Sequence, residues 1–96
     1  MHAGAAADLG RLDHAVQACI RRAVYDLEKL DDPRQRLVPY AENLKGYWKL
    51  RVGDYRLVCE LHRDDRGQLV IIIHVVHRRD AYRGRSVRTI RRRSED

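Results

Sequence analysis

Apolar residues recur at spacings of three and four along the first third of the chain: Leu9, Leu12, Val16, Ile20, Ala23, Val24, Leu27 and Leu30. Arg21, Arg22, Asp26 and Glu28 fall mostly on the opposite side. That period predicts amphipathic helix from Ala5 to Leu30. Gly10 and Asp13 interrupt it. Asp13 is placed to cap a second helix, with Leu12 as the apolar residue before the cap. The expectation is a short first helix, a tight turn, and a longer helix from about His14 to Leu30. Asp31-Asp32-Pro33 ends it, because the residue before a proline is pushed out of the helical region.

The period then changes from 3.6 to 2. Arg34 to Asn43, which contains Pro39, predicts a connecting loop. Strands are predicted over about Tyr47 to Val52, Tyr55 to Leu61 and Leu69 to His77, with turns at Gly53-Asp54 and at Arg63 to Gly67. The last strand, with its IIIHVV core, is apolar on both faces and so belongs in the middle of a sheet. A short final helix is expected from Arg83, with Val87 and Ile90 as its only apolar anchors; alone it would be marginal. The resulting architecture is α+β: two N-terminal helices on one face of a small antiparallel sheet, with the other face left open. Ninety-six residues suit one domain, 1–96, with a basic tail at 83–96.

Alternation assigns sides. Trp48, Leu50 and Val52 share a face with Leu57, Cys59 and Leu61, which suits the helix side. Tyr47, Lys49 and Arg51, with Arg56 across the turn, then project from the open side. Arg78 and Tyr82 follow the last strand and are expected to close the same hollow. Phosphate oxygens would find several cationic donors there, and a base would find a ring to stack on. An exposed Lys or Arg on a sheet face is most often only solubilising. Trp48 and His74 read first as core residues. At the strand end His77 suits a general acid or base and a simple polar cap equally well, and Tyr82 could equally pin the tail to the sheet. The value of these residues lies in their convergence.

Charge sharpens the picture. The formal charge is +6. From Arg78 to Asp96 eight Arg stand against Asp80, Glu95 and Asp96, a net +5, while the preceding 77 residues hold 12 basic and 11 acidic residues, a net +1. Local positive charge attracts polyanions, although a solvated tail would show the same composition. Cys19 and Cys59 lack CxxC spacing and sit in apolar patterns, so both are expected to be small buried hydrophobes in a reducing cytoplasm, without a zinc site. The opening MHAGAAADLG carries Asp8 and no long apolar core, so no signal peptide is expected. The longest apolar run, Leu69 to Ile73, is far too short to cross a bilayer. No membrane role follows.

The segments LKGYWKLRVGDYRLVCEL and HVVHRRDAYRG, with LDHAVQ at the helical turn, resemble the RelE branch of the RelE/ParE toxin superfamily. The resemblance runs from roughly Ala5 to Gly84 and rests on the order of a leucine-lysine-glycine lead-in, an RVGDYR hairpin and a final HRRxxY segment. It implies the toxin of a type II toxin–antitoxin pair that cleaves mRNA in the ribosomal A site without metal or other cofactor and so stops translation. It implies a RelB-like antitoxin in a hetero-oligomer, acidic and partly disordered. It implies catalytic roles for Lys49, Arg56, Arg78 and Tyr82, with Tyr82 stacking on the mRNA base. Tyr47, Arg51, Arg79 and Arg83 are expected to contact RNA.

Two departures stand out. Where the best-known members carry a second lysine, this chain has Tyr47, so Tyr47 or His77 is expected to take over proton transfer. Members usually begin with a β-strand; here MHAGAAADLG predicts none, which would expose a sheet edge that an antitoxin segment could fill by strand addition. The alternatives are a ParE-like toxin that binds and poisons DNA gyrase, and a truncated, inactive toxin that only binds antitoxin.

Overall fold

The helical break falls at Asp13. In the computed structural model, which describes residues 1–95, α1 spans Ala3–Gly10 and α2 spans His14–Glu28. Asp13 occupies the cap position of α2 but makes no side-chain capping bond. Its carbonyl accepts from the Gln17 N–H at 2.9 Å, and Gln17 Nε2 donates to the Leu12 carbonyl at 2.8 Å. Gln17 thus fastens the turn that the sequence assigns to the Asp13 carboxylate. Ala5, Leu9, Ile20 and Leu27 carry the apolar stripe into the core, where they meet Leu50, Leu57, Cys59, Ile72 and Val75. Each fully buried aliphatic side chain of this kind contributes about 1.5–3 kcal/mol.

Four strands form an antiparallel meander in the order β1–β2–β3–β4. They are β1 (Val38–Pro39), β2 (Trp48–Val52), β3 (Tyr55–Asp64) and β4 (Gly67–His77). The predicted hairpins are present, and Gly53 turns the first with a positive φ of 56°. Strand β1 lies in the segment expected to be a loop. Pro39 has no N–H to give a ladder, so this short strand is tolerated only at an edge. The expectation that the last strand is central is also corrected: β4 is the opposite edge.

No strand precedes α1 among the described residues, and β4 satisfies its outer edge in another way. The His2 N–H donates to the Ile72 carbonyl at 2.8 Å. Arg93 Nη1 donates to the Ile73 carbonyl at 3.0 Å, and Asp8 Oδ2 accepts from the Val75 N–H at 3.1 Å. Buried backbone groups need partners, and one backbone N–H and two side chains supply them here. A register shift at Val58/Cys59 changes which β4 groups face outward.

The second face is not wholly open. Helix α3 (Gly84–Ser94) lies across it, and Val87 and Ile90 pack with Tyr40, Leu44, Val58 and Ile73 in a second cluster. Two anchors suffice because polar contacts join them: Arg93 reaches Asp8 at 2.7 Å, and Arg91 Nη2 donates to the Asn43 carbonyl at 2.7 Å.

The two cysteines divide. Cys59 is buried, as expected, and burial pushes its thiol up to about 12. Cys19 is exposed, a correction that follows from helical phase, since it lies outside the stripe set by Val16, Ile20, Ala23 and Leu27. A thiol reagent is therefore expected to modify one cysteine in the folded protein, Cys19, and to reach Cys59 only after denaturation. Mass mapping of the modified peptides checks this; modification of Cys59 in native buffer would contradict it.

Candidate active site

Register places the cationic residues. Lys49 pairs with Val58, and Arg51 pairs with Arg56, so all four share one sheet face. Val38 of β1 sits opposite Lys49 on that same face. Val58 is covered by α3, whereas Lys49 lies past the helix's reach, half-buried beside Tyr82.

Lys49 lies against two tyrosine rings. Its Nζ lies 3.3 Å from the Tyr82 hydroxyl. The same ammonium is 5.1 Å from the Tyr40 ring centroid and 5.9 Å from that of Tyr82, both within cation–π range. The Tyr40 and Tyr82 rings meet edge to face, 5.8 Å apart at 78°. Tyr82 remains 65% exposed, which leaves ring surface for a base. Tyr40 is only 5% exposed. Burial, with Tyr82 and Cys59 adding to it, holds its phenol well above the usual tyrosine range, against the opposing pull of Arg56 and Arg51. Sequence reasoning missed Tyr40, which the structure places against both Lys49 and Tyr82.

Arg51 and Arg56 face each other across β2 and β3. Directly opposed like charges destabilise a sheet, and among the described residues no carboxylate pairs with either. Arg56 folds back over the hairpin, with Nη1 donating to the Gly53 and Tyr55 carbonyls at 3.0 and 2.9 Å. Two guanidinium groups without a counter-ion make a receptor for an anion. Arg78 stands at the same hairpin tip: its N–H donates to the Asp54 carbonyl at 2.7 Å and its Nε lies 3.5 Å from the Asp54 carboxylate. That exposed pair is weak enough to exchange for a phosphate.

The other expected site residues are spread more widely. Tyr47 shares the Lys49 face but packs against the second cluster, and its carbonyl accepts from the Tyr40 N–H. Arg79 is exposed, with its N–H on His77 Nδ1 at 3.3 Å. Arg83 pairs with Asp80 at 3.2 Å. His77 does not join Lys49. It pairs with Tyr55 and meets that ring edge to face at 5.3 Å, and Tyr55 packs on the helix-side core. Strand parity puts His77 on the opposite side of the sheet from Lys49 and Arg56, a correction to its expected place among the catalytic residues. His74 is the core histidine expected, with Nδ1 3.2 Å from Asp8 and Nε2 3.4 Å from the Ser86 hydroxyl.

An antiparallel sheet with two helices on one face, a third across the other, and Lys49, Arg51 and Arg56 on the face that carries that third helix is an architecture with known relatives. A family model for the ParE toxin of a type II toxin–antitoxin system matches residues 1–82. Toxin RelE of Mycobacterium tuberculosis is 36% identical over 81 residues, covering 84% of this chain and 80% of its own length. The toxin–antitoxin complex RelBE2 of the same organism contains a chain that superposes with a TM-score of 0.66 at 30% identity, over 79% of this chain and 90% of that one. A chain of the RelB–RelE complex of Methanococcus jannaschii matches in fold, with a TM-score of 0.60 at 20% identity over 81% and 88% of the two chains. The chain belongs to the RelE/ParE superfamily and is a toxin of the type II toxin–antitoxin class.

Proposed function

We propose that this toxin is a ribosome-dependent endoribonuclease that cuts mRNA in the A site and so inhibits translation. The observation that carries the reading is the Lys49–Tyr82 contact on the sheet face that also holds the opposed Arg51 and Arg56. The reaction needs a 2′-hydroxyl to attack the adjacent phosphorus. The P–O5′ bond then breaks, leaving a 2′,3′-cyclic phosphate and a 5′-hydroxyl. One proton leaves the 2′-oxygen and one reaches O5′. Lys49 and Tyr82, in hydrogen-bond contact, are the pair for those transfers, and the Tyr82 ring takes a base by stacking. Arg56 and Arg51 stabilise charge on the non-bridging oxygens, and Arg78 joins them once it releases Asp54. Arg79 and Arg83 line the approach. No metal enters this scheme.

An antitoxin follows from the class, and both structural relatives were solved as toxin–antitoxin complexes. An acidic antitoxin complements the basic site and shields it in a hetero-oligomer. No helix among the described residues is long and apolar enough to cross a membrane, which suits work on cytoplasmic ribosomes. The gyrase reading keeps one specific support, the ParE description of the matching family model; a pure gyrase binder has no need for a lysine held against two tyrosine rings.

Expression without antitoxin is expected to halt translation and to give mRNA cut within codons, mapped by primer extension. Intact mRNA together with stalled DNA replication would overturn cleavage in favour of gyrase.

A further inference from the structure

We propose that Tyr40 is the positioning residue of this site: its ring holds Lys49 and Tyr82 in the geometry that proton transfer needs. This deepens the cleavage reading and rests on it. Tyr40 stands just past β1, and its N–H donates to the Tyr47 carbonyl at 3.0 Å, which extends the β1–β2 pairing by one step. That pairing turns its side chain onto the Lys49 face, diagonal to Lys49. Leu44, Val58 and Ile90 pack in the same buried cluster and fix the ring from behind.

Tyr40 Oη is one of two buried side-chain oxygens without a hydrogen-bond partner among the described residues. What Tyr40 presents to Lys49 and Tyr82 is its ring. The face of that ring takes the Lys49 ammonium at 5.1 Å. The edge-to-face contact with Tyr82 sets the second ring at 78°, an arrangement the aromatic quadrupole favours. A lysine on an exposed strand samples many rotamers. Restricting it to the one that meets the Tyr82 hydroxyl removes that loss from the reaction step.

The ring is itself placed by the C-terminal helix. Immediately after Tyr40 the chain reverses through Glu42, which has a positive φ of 55°, and Arg91 of α3 holds the loop by its bond to the Asn43 carbonyl. A non-glycine residue in the left-handed region is strained and persists only where its surroundings fix it. The chain of contacts therefore runs from α3 through the loop to Tyr40, and from Tyr40 to Lys49 and Tyr82.

The test compares Tyr40→Phe, which keeps the ring, with Tyr40→Met, which keeps much of the volume and loses it. In single-turnover cleavage on programmed ribosomes, Tyr40→Met is expected to lower the maximal rate roughly tenfold to a hundredfold, with little change in half-saturation, and Tyr40→Phe to restore it to within about twofold of wild type. In the free protein, the ε-methylene protons of Lys49 are expected upfield of random-coil lysine in wild type and in Tyr40→Phe, and at the random-coil position in Tyr40→Met. Equal cleavage by Tyr40→Met and wild type would overturn the proposal, as would a Tyr40→Phe loss as deep as that of Tyr40→Met. If Tyr40→Met fails to fold, the Lys49 shift in the other two proteins decides: present, it supports the ring contact; absent, it removes it. A wild-type protein that cuts nothing would fail the cleavage reading, and the Lys49 shift would still decide the positioning claim.

Discussion

Arg56→Ala is expected to lower ribosome-dependent cleavage by roughly 10²–10³-fold, the cost of removing one preorganised donor from developing transition-state charge. Thermal stability is expected to hold or rise slightly. Arg56 faces Arg51 directly across the hairpin, and removing one of two opposed like charges relieves a repulsion worth a few tenths of a kcal/mol up to about 1 kcal/mol. The bonds from its guanidinium to the Gly53 and Tyr55 carbonyls sit at the partly exposed end of the hairpin, where water replaces them. A large loss of rate without a loss of stability is the signature of a residue kept for chemistry. Arg56→Lys keeps the charge and loses the planar fork, so an intermediate rate is expected. The measurements are single-turnover cleavage and a thermal melt on the same preparations. Cleavage by Arg56→Ala at the wild-type rate would remove Arg56 from the site; a melt lowered by several degrees would show that it serves the fold instead.

The helices and hairpins were legible because their signals are local and periodic. Leu9 to Leu30 state a 3.6-residue period, and Gly53-Asp54 states a turn. The face of Lys49, Arg51 and Arg56 was also legible, because β2 and β3 are joined by a two-residue turn that leaves little freedom of register. Four features needed long-range geometry. Strand β1 is too short to show alternation, and with it Tyr40 was lost from the site. His77 stands one residue before Arg78, and nearness in sequence concealed that the sheet separates its side chain from Lys49. The edge position of β4 was hidden by its apolar residues on both faces: one face meets α1 and α2, and the other meets α3, whose coverage two anchors did not announce. The bond of Asp8 to β4, 67 residues away, has no sequence signal at all. An aspartate in a run of alanines reads as a solvent-facing helix residue.

That aspartate carries the second large prediction. Asp8→Ala is expected to destabilise the fold by roughly 3–5 kcal/mol, the cost of breaking a buried ion pair from one side. Asp8 is 8% exposed and Arg93 14%, with 2.7 Å between them. Without the carboxylate, the Arg93 guanidinium keeps the Ile73 carbonyl and His74 as neighbours but loses its counter-charge, and the Val75 N–H on the edge of β4 loses its acceptor. Total stability for a domain of this size is about 5–15 kcal/mol, so the variant is expected to populate unfolded chain at physiological temperature. Asp8→Asn keeps an acceptor for Val75 and should lose less. The pair Asp8→Ala with Arg93→Met removes the stranded charge and should be more stable than Asp8→Ala alone; additive losses would show that the two residues do not act as a pair. The pH dependence has a definite sign. Burial alone would raise the Asp8 carboxyl, but bonds from His74, Arg93 and the Val75 N–H outweigh it and hold the group far below the usual carboxylate range. A depressed carboxyl contributes stability that is full above its unfolded value and is lost as pH falls below that value. Wild type is therefore expected to lose this increment on acidification below about pH 4, while Asp8→Asn lacks it throughout. Exposed Asp32, also lowered by its bonds with Arg34, titrates alike in both proteins and cancels in the comparison. Urea melts of the two proteins between neutral and acid pH measure the difference, and parallel curves would mean that Asp8 carries no such charge coupling.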